Sequence, residues 1–202
     1  MRDRSIFRQV LLVGPNYRNH RGGIGAVLDV YQHHITDFNF ITTHDSNLSP
    51  IGGFFLALKS LAKLSWTLLT NRHIRIVHIH GASRVSFYRK YCVFLIARYV
   101  FNRKVIYHMH GGKFHVFYMT GSKLYRKLVA HLLTSVDHVV CLSTFWKDFL
   151  ADTFKVKAAS IIKNPISFPD QPLPETGREG FLSLLFLGKI GDNKGVFDLL
   201  DV

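Results

Sequence analysis

Glutamate is almost missing from this chain. Its 202 residues contain only Glu175 and Glu179, and no acidic residue of either kind lies between Asp45 and Asp137. Cysteine is equally scarce: Cys92 and Cys141 are far apart and sit in apolar surroundings. Two distant cysteines do not make a disulfide framework, so they are expected to be reduced core thiols of a cytosolic protein. No stretch reaches the ~18 consecutive apolar residues of a membrane-spanning helix. The nearest, residues 52–58 and 92–101, are short or broken by charge. The first apolar run, residues 10–13, ends at Gly14-Pro15 and is too short for a secretory leader. No glycine fingerprint follows that run directly, and no Gly-x-Ser-x-Gly surrounds any serine, which argues against a dinucleotide site and a nucleophile elbow. A sugar-nucleotide epimerase would need a helical Tyr-x-x-x-Lys; the nearest match, Tyr99 to Arg103, ends in the wrong residue.

Positive charge is abundant. The net charge is +13, and the acid-free interval carries fourteen Lys and Arg residues, from Lys59 to Lys127. A field of one sign attracts anions: phospholipid head groups, nucleotide phosphates or nucleic acid. Apolar content of 48% is ample for a buried core.

Apolar runs alternate with longer amphipathic segments. Strands are expected at residues 10–13, 38–42, 74–80, 104–110, 138–143 and 160–163. Helices are expected after the loop that opens residues 22–31, at 54–69, within 85–100, near 122–133 and near 144–154. Strands separated by helical patterns predict an α/β fold with a doubly wound, parallel, Rossmann-like sheet. Four of the six prolines fall at 165, 169, 172 and 174, beside Gly177 and Gly180. That composition predicts a linker. Beyond it, residues 182–202 have the pattern of an apolar strand, a Gly/Lys loop and a helix start. The expected organisation is a domain over 1–167, a linker over 168–180, and over 181–202 the truncated start of a second Rossmann-like domain.

In such sheets ligands bind beyond the carboxyl ends of the strands. After the first strand come Gly22, Gly23 and Gly25, where backbone amides can approach a ligand at a helix N-terminus. The third strand ends His78-Ile79-His80-Gly81, and the fourth ends His108-Met109-His110-Gly111-Gly112. A period of two puts each His pair on one face. Four histidines invite a metal reading. However, there is no Glu before Glu175, no nearby Cys and no recognised ligand spacing, so no metal is expected. His78 and His108 are expected to be satisfied core histidines, and His110, at a strand tip before two glycines, a substrate contact. Ser143 or Thr144 can cap the following helix. Asn164-Pro165 reads as a turn. Lys189 and Lys194 flank a loop at a helix start, where two ammonium groups and free amides suit a diphosphate.

Together these segments resemble the retaining, two-domain (GT-B fold) glycosyltransferases of the large group 1 family, family 4. The resemblance rests on the Gly22-Gly23-Ile24 loop, the His80-Gly81 and His110-Gly111-Gly112 strand tips, Ser143-Thr144, Asn164-Pro165, and Gly188-Lys189 with Lys194-Gly195. It implies an acceptor-side domain followed by the opening of a donor-side domain. It places Gly22, Gly23 and Gly111 around the donor's phosphates or sugar, and His110 beside the transferred sugar as the catalytic-site residue. Lys189 and Lys194 would neutralise the leaving diphosphate. The family usually has Arg where Lys189 stands; Lys keeps the charge without the bidentate fork. The family's donor-side pair of glutamates separated by seven residues is not in this chain, so the fragment by itself is expected to be inactive.

The resemblance thus implies transfer of a sugar from a nucleotide-sugar donor to a glycan or lipid-linked acceptor with retention, in polysaccharide or glycolipid biosynthesis. No cofactor is expected beyond the donor. The partners expected are donor, acceptor and an anionic membrane surface, with no nucleic acid, and the place is the cytoplasmic face of the membrane. The alternative is a non-catalytic basic α/β module that binds anionic membrane or nucleic acid. The stretch Tyr88-Arg89-Lys90-Tyr91 is what a nucleic-acid reading would rest on.

Overall fold

The computed structural model describes residues 5–18, 22–81, 85–112, 114–166, 185–186, 190–191 and 195–200. By contacts the chain divides into two compact units, residues 1–167 and 168–202.

The first unit is built on one six-stranded parallel sheet. Its strands are β1 (Val10–Pro15), β2 (Phe40–His44), β3 (Ile76–Gly81), β4 (Lys104–Met109), β5 (His138–Cys141) and β6 (Ala159–Ile161), and their order is β2-β1-β3-β4-β5-β6. The helices are α1 (Ser5–Arg8), α2 (Gly23–His34), α3 (Pro50–Thr70), α4 (Val85–Leu95), α5 (Phe114–Thr120), α6 (Lys123–Ser135) and α7 (Thr144–Phe154). α4 runs on into a π-helical turn, Ile96–Val100. This is the α/β, Rossmann-like class expected from the alternating pattern.

Strand order and chain handedness decide which face each helix covers. A crossover between parallel strands is right-handed. From β1 the chain moves one way to β2 through α2. Every later connection moves the other way, so α3 to α7 lie on the opposite face from α2. The side chains agree. Leu11, Val13, Val77, Ile79, Val105, Tyr107, Val139 and Cys141 join Leu64, Leu68, Phe94, Leu132 and Leu150 in the main core. On the other face Leu12 is buried, and on α2 so are Val27 and Leu28. Among the described helices longer than one turn, α2 alone covers this second face.

Local signals explain the helix ends. α3 begins at Pro50, four residues before the expected start. Ser49 is its N-cap, its hydroxyl accepting from Gly52 N at 3.2 Å, and Pro50 occupies the first turn where its missing N–H costs nothing. The Gly52-Gly53 pair is tolerated inside that capped turn rather than breaking the helix. Ser122 caps α6 in the same way through Tyr125 N. Ser143 stands at the N-cap of α7, but its hydroxyl makes no cap bond. α5 has no counterpart in the sequence pattern. Its seven residues, rich in aromatic and β-branched types, have weak helix propensity, and packing of buried Phe114 near Trp146 holds them. Asp137, the first acid after Asp45, pins the sheet edge of the crossover: Oδ2 accepts from Val105 N at 2.8 Å and pairs with Arg98 at 3.2 Å.

Of the two cysteines, Cys141 is a buried free thiol as expected. Cys92 is exposed, because it falls on the outer side of α4 between buried Lys90 and Val93. No helix among the described residues is long and apolar enough to cross a membrane.

In the second unit the described residues form one short helix, α8 (Val196–Leu200), with no buried residue. Leu185 is exposed. Residues 185–186 are not in a strand. The rest of the expected strand over 182–187, the expected linker over 168–180, and Gly188, Lys189 and Lys194 lie outside the described residues.

Gly81 tests the packing of the sheet directly. A methyl group added there would overlap the Tyr107 ring, which is buried to 1% exposure and has no room to retreat. Gly81→Ala is expected to destabilise the domain by about 1–3 kcal/mol. Thermal unfolding of the variant should show a lower Tm, and an unchanged Tm would mean that Tyr107 does not close over this glycine.

Candidate functional site

The sheet order reverses between β1 and β3, which are the neighbours that continue in opposite directions. In open α/β sheets the crevice at such a switch, outside the carboxyl ends of the strands, is where ligands bind. Three groups of residues gather along this edge: the glycine turn at α2, a histidine quartet on β3 and β4, and a buried lysine from α4.

Gly22 is the N-cap of α2, in extended conformation, and Gly23 is its first residue. A Cβ at either would meet nothing within 4 Å. Packing therefore does not require glycine there, and the open space continues into a cleft of about 320 Å³ lined by Pro15, Asn16, Gly22, Gly23, Ile24, Gly25, His44 and Ser46. The free amides of the first turn face an anion-attracting helix end. Gly111 follows β4 and is half-buried, its carbonyl accepting from Phe114 N at 3.3 Å.

His78 and His80 leave β3, and His108 and His110 leave β4 and its end, on the face covered by α2. Parallel register sets His80 opposite His108, while His110 N bonds to Gly81 O at 3.1 Å. The rings form one stacked group. His108 and His110 are 4.0 Å apart between centroids, His78 and His80 4.5 Å, and His80 and His108 5.0 Å. His80 Nδ1 and His110 Nε2 share a hydrogen bond of 2.9 Å. Tyr31 of α2 covers His80 edge-on at 5.8 Å.

All four imidazoles are held neutral. Burial first, then the His110 ring, takes His78 to about 4. Burial with His110 and His78 takes His108 to about 2. Burial takes His110 to about 4, opposed by the nearby Asn164 side chain, which favours the protonated ring. His80 is pushed well below the usual range by burial and then by its three neighbours and Lys90. One expectation needs correction here. His78 and His108 are buried or nearly so, but they are not satisfied. His78 Nε2, His80 Nε2 and both ring nitrogens of His108 have no hydrogen-bond partner among the described residues. Strand periodicity places a ring on a face but says nothing about what meets it there.

Lys90, named in sequence only as part of a basic surface stretch, lies wholly inside, at 1% exposure. Its ammonium donates to Thr43 Oγ1, which in turn donates to Gly14 O at 3.1 Å. Burial and then the neighbouring Arg89 lower Lys90 to about 7. His44, on the rim of the cleft, is lowered by burial, Arg89 and Lys90. In the stretch Tyr88-Arg89-Lys90-Tyr91, Lys90 is therefore core, and Tyr91 bonds to His131 at 2.8 Å. Asn164, named in sequence only as part of the Asn164-Pro165 turn, lies close enough to His110 to influence its protonation. Lys189 and Lys194 lie outside the described residues.

The parallel sheet, the glycine turn at its switch point and the histidine strand tips define a Rossmann-like domain of glycosyltransferase type. The family model described as Glycosyltransferase Family 4 matches residues 11–168, and the chain belongs to that family. It is a glycosyltransferase domain, of an enzyme class that joins a sugar donor to an acceptor. No curated protein matches the chain at a significant level.

Lys90 gives the site a measurable pH signature. Below pH 7 folded and unfolded chains both carry its proton, and the buried charge weakens the fold in full. As pH rises from about 7 toward the ordinary lysine range near 10.5, the folded state has released the proton and the unfolded state has not, so stability rises. Its slope can reach ~1.4 kcal/mol per pH unit. Denaturant unfolding between pH 7.5 and 9.5 should show this rise in the wild type, and Lys90→Met should remove most of it. Parallel curves for the two proteins would refute a depressed Lys90.

Proposed function

We propose that this chain is the acceptor-side domain of a retaining glycosyltransferase that moves a sugar from a nucleotide-sugar donor to a glycan or lipid-linked acceptor at an anionic membrane surface. The observation that carries the proposal is the open, glycine-lined cleft at the N-terminus of α2, set at the switch point of the sheet. Backbone amides there can receive a phosphate or sugar oxygen without a side chain in the way. His110, two strands along the same edge, is held neutral by burial and is assigned to the transferred sugar. Lys189 and Lys194, with helix amides, are assigned the leaving diphosphate, so that this charge needs no divalent ion.

Membrane docking has support from α3. Ile51, Phe55, Leu58, Trp66 and Leu69 recur at helical spacing and are all exposed, Ile51 at 72% and Trp66 at 68%. They lie opposite the buried Ser60, Leu64 and Leu68. Lys59 and Lys63, both exposed, border this stripe. An apolar stripe with cationic edges suits the interface of an anionic bilayer, where lipid-linked acceptors are presented.

Two measurements test the proposal. In the complete enzyme, His110→Ala should lower turnover at least about tenfold with Tm nearly unchanged, and the product's anomeric configuration should match the donor's. Unimpaired transfer, or inversion, would remove the corresponding part of the proposal. Separately, the chain should bind anionic vesicles, bind less as salt shortens the ~8 Å screening length, and lose affinity on Trp66→Ser. Equal binding to neutral and anionic vesicles would exclude the electrostatic part.

A further inference from the structure

We propose that His78, His80 and His108 form a binding site for a zinc-class divalent ion on the α2 face of the sheet. One ring nitrogen from each lies within 4.8 Å of the others, and no other group of this kind occurs among the described residues. A tetrahedral Zn²⁺ has bonds of ~2.0–2.1 Å, so its ligand atoms stand a little over 3 Å apart. Rotation of the side chains can close that difference. The two hydrogen-bonded strands fix the backbone of all three histidines, so only the side chains have to move.

Two further observations point to an ion rather than to inert packing. First, the nitrogens concerned are unpartnered: His78 Nε2, His80 Nε2 and both nitrogens of His108 have no hydrogen-bond partner among the described residues. A buried polar atom without a partner is costly, and buried atoms are rarely left so. Four such atoms in one cluster require a shared explanation. Second, His80 has the outer contact typical of a ligand histidine. If its Nδ1–H donates to His110 Nε2, at 2.9 Å, then Nε2 is a bare lone pair aimed away from that bond.

The donor set selects the class of ion. Three imidazoles without a carboxylate suit Zn²⁺, Cu²⁺ or Ni²⁺ and not the oxygen-seeking Mg²⁺ or Ca²⁺. Three protein ligands leave the fourth position to water or to a substrate oxygen. His110 is not a ligand in this scheme; it orients His80. The ion is thereby linked, through one hydrogen bond, to the residue assigned to the transferred sugar. It takes no part in holding the diphosphate. The inference stands on the geometry of the cluster and does not depend on the proposed transfer reaction.

The test uses the whole chain, stripped with a chelator and titrated with Zn²⁺ and with Co²⁺. Calorimetry should give one Zn²⁺ per chain. Co²⁺ should develop the visible absorption of a tetrahedral nitrogen site, and Zn²⁺ should raise Tm by a few degrees, as any ligand of the folded state does. His78→Gln and His108→Gln should each weaken binding at least about 100-fold. Replacing His33 and His34, an exposed pair at the end of α2, should leave it unchanged. Circular dichroism checks that the ligand variants fold. Three results would overturn the proposal: no stoichiometric binding by the wild type; binding that survives both ligand substitutions in folded protein; or Co²⁺ bound without the tetrahedral signature. The last criterion holds even if the variants fail to fold.

Discussion

The right-handedness of the β–α–β crossover is the constraint on which the rest of this domain depends. Because β2 lies on one side of β1 and all later strands on the other, the rule sends α2 to one face and the five helices α3 to α7 to the opposite one. The heavily covered face becomes an ordinary apolar core. The lightly covered face is where the histidines emerge, sheltered by Val27, Leu28 and Tyr31 of a single helix. The same reversal of order opens the crevice beside Gly22 and Gly23. Topology therefore puts an unusual polar cluster and an open cleft along one edge before any catalytic chemistry is considered.

The shortage of carboxylates governs the electrostatics of that edge. Elsewhere in proteins a buried base is commonly paired with an acid. Here no acid is available between Asp45 and Asp137, so a buried base can avoid its desolvation cost only by giving up its proton. Lys90 and the four histidines all follow this course. The result is a set of neutral nitrogen donors inside a protein of strongly positive surface. Neutral nitrogens can hydrogen-bond a sugar or bind a cation, whereas the surface draws anions. The two behaviours are separated by burial, not by residue type.

Much of the fold could be recognised in the amino-acid pattern because its signals are local. All six strands fall within or beside the expected segments, since buried parallel strands are short apolar runs bounded by turns. α3 was placed four residues late because the Ser49-Pro50 cap is a stronger signal than the two glycines after it. α5 was invisible because tertiary contacts, not propensity, hold it. At the site, period two places each His pair on one face, as found, whereas the roles of Gly22, Gly23 and His110 rest on the resemblance and belong to the proposed function. What could not be read was the meeting of elements distant in sequence. Lys90 reaches Thr43 across 47 residues, and His80 reaches His110 across 30. The exposed stripe on α3 is the reverse case: its spacing is helical and visible, but only the packing shows which side faces water.

The histidine quartet is best understood through what it gives up. Replacing any of its inner members with Val or Ile, as at neighbouring positions of β3 and β4, would fill the same face of the sheet without an unpartnered nitrogen. An apolar choice is normally at least as stable there as a buried polar group lacking a bond. The sheet carries four imidazoles instead, stacked at 4.0–5.5 Å with one direct hydrogen bond among them. Such a departure from local stability is what a functional site requires, because the groups must be free to act on something that arrives later. The quartet sits beneath the strand tip that bears His110 and is rigidly attached to it. A change in the inner rings, whether of orientation or coordination, is therefore passed to His110 through the hydrogen bond between His80 Nδ1 and His110 Nε2.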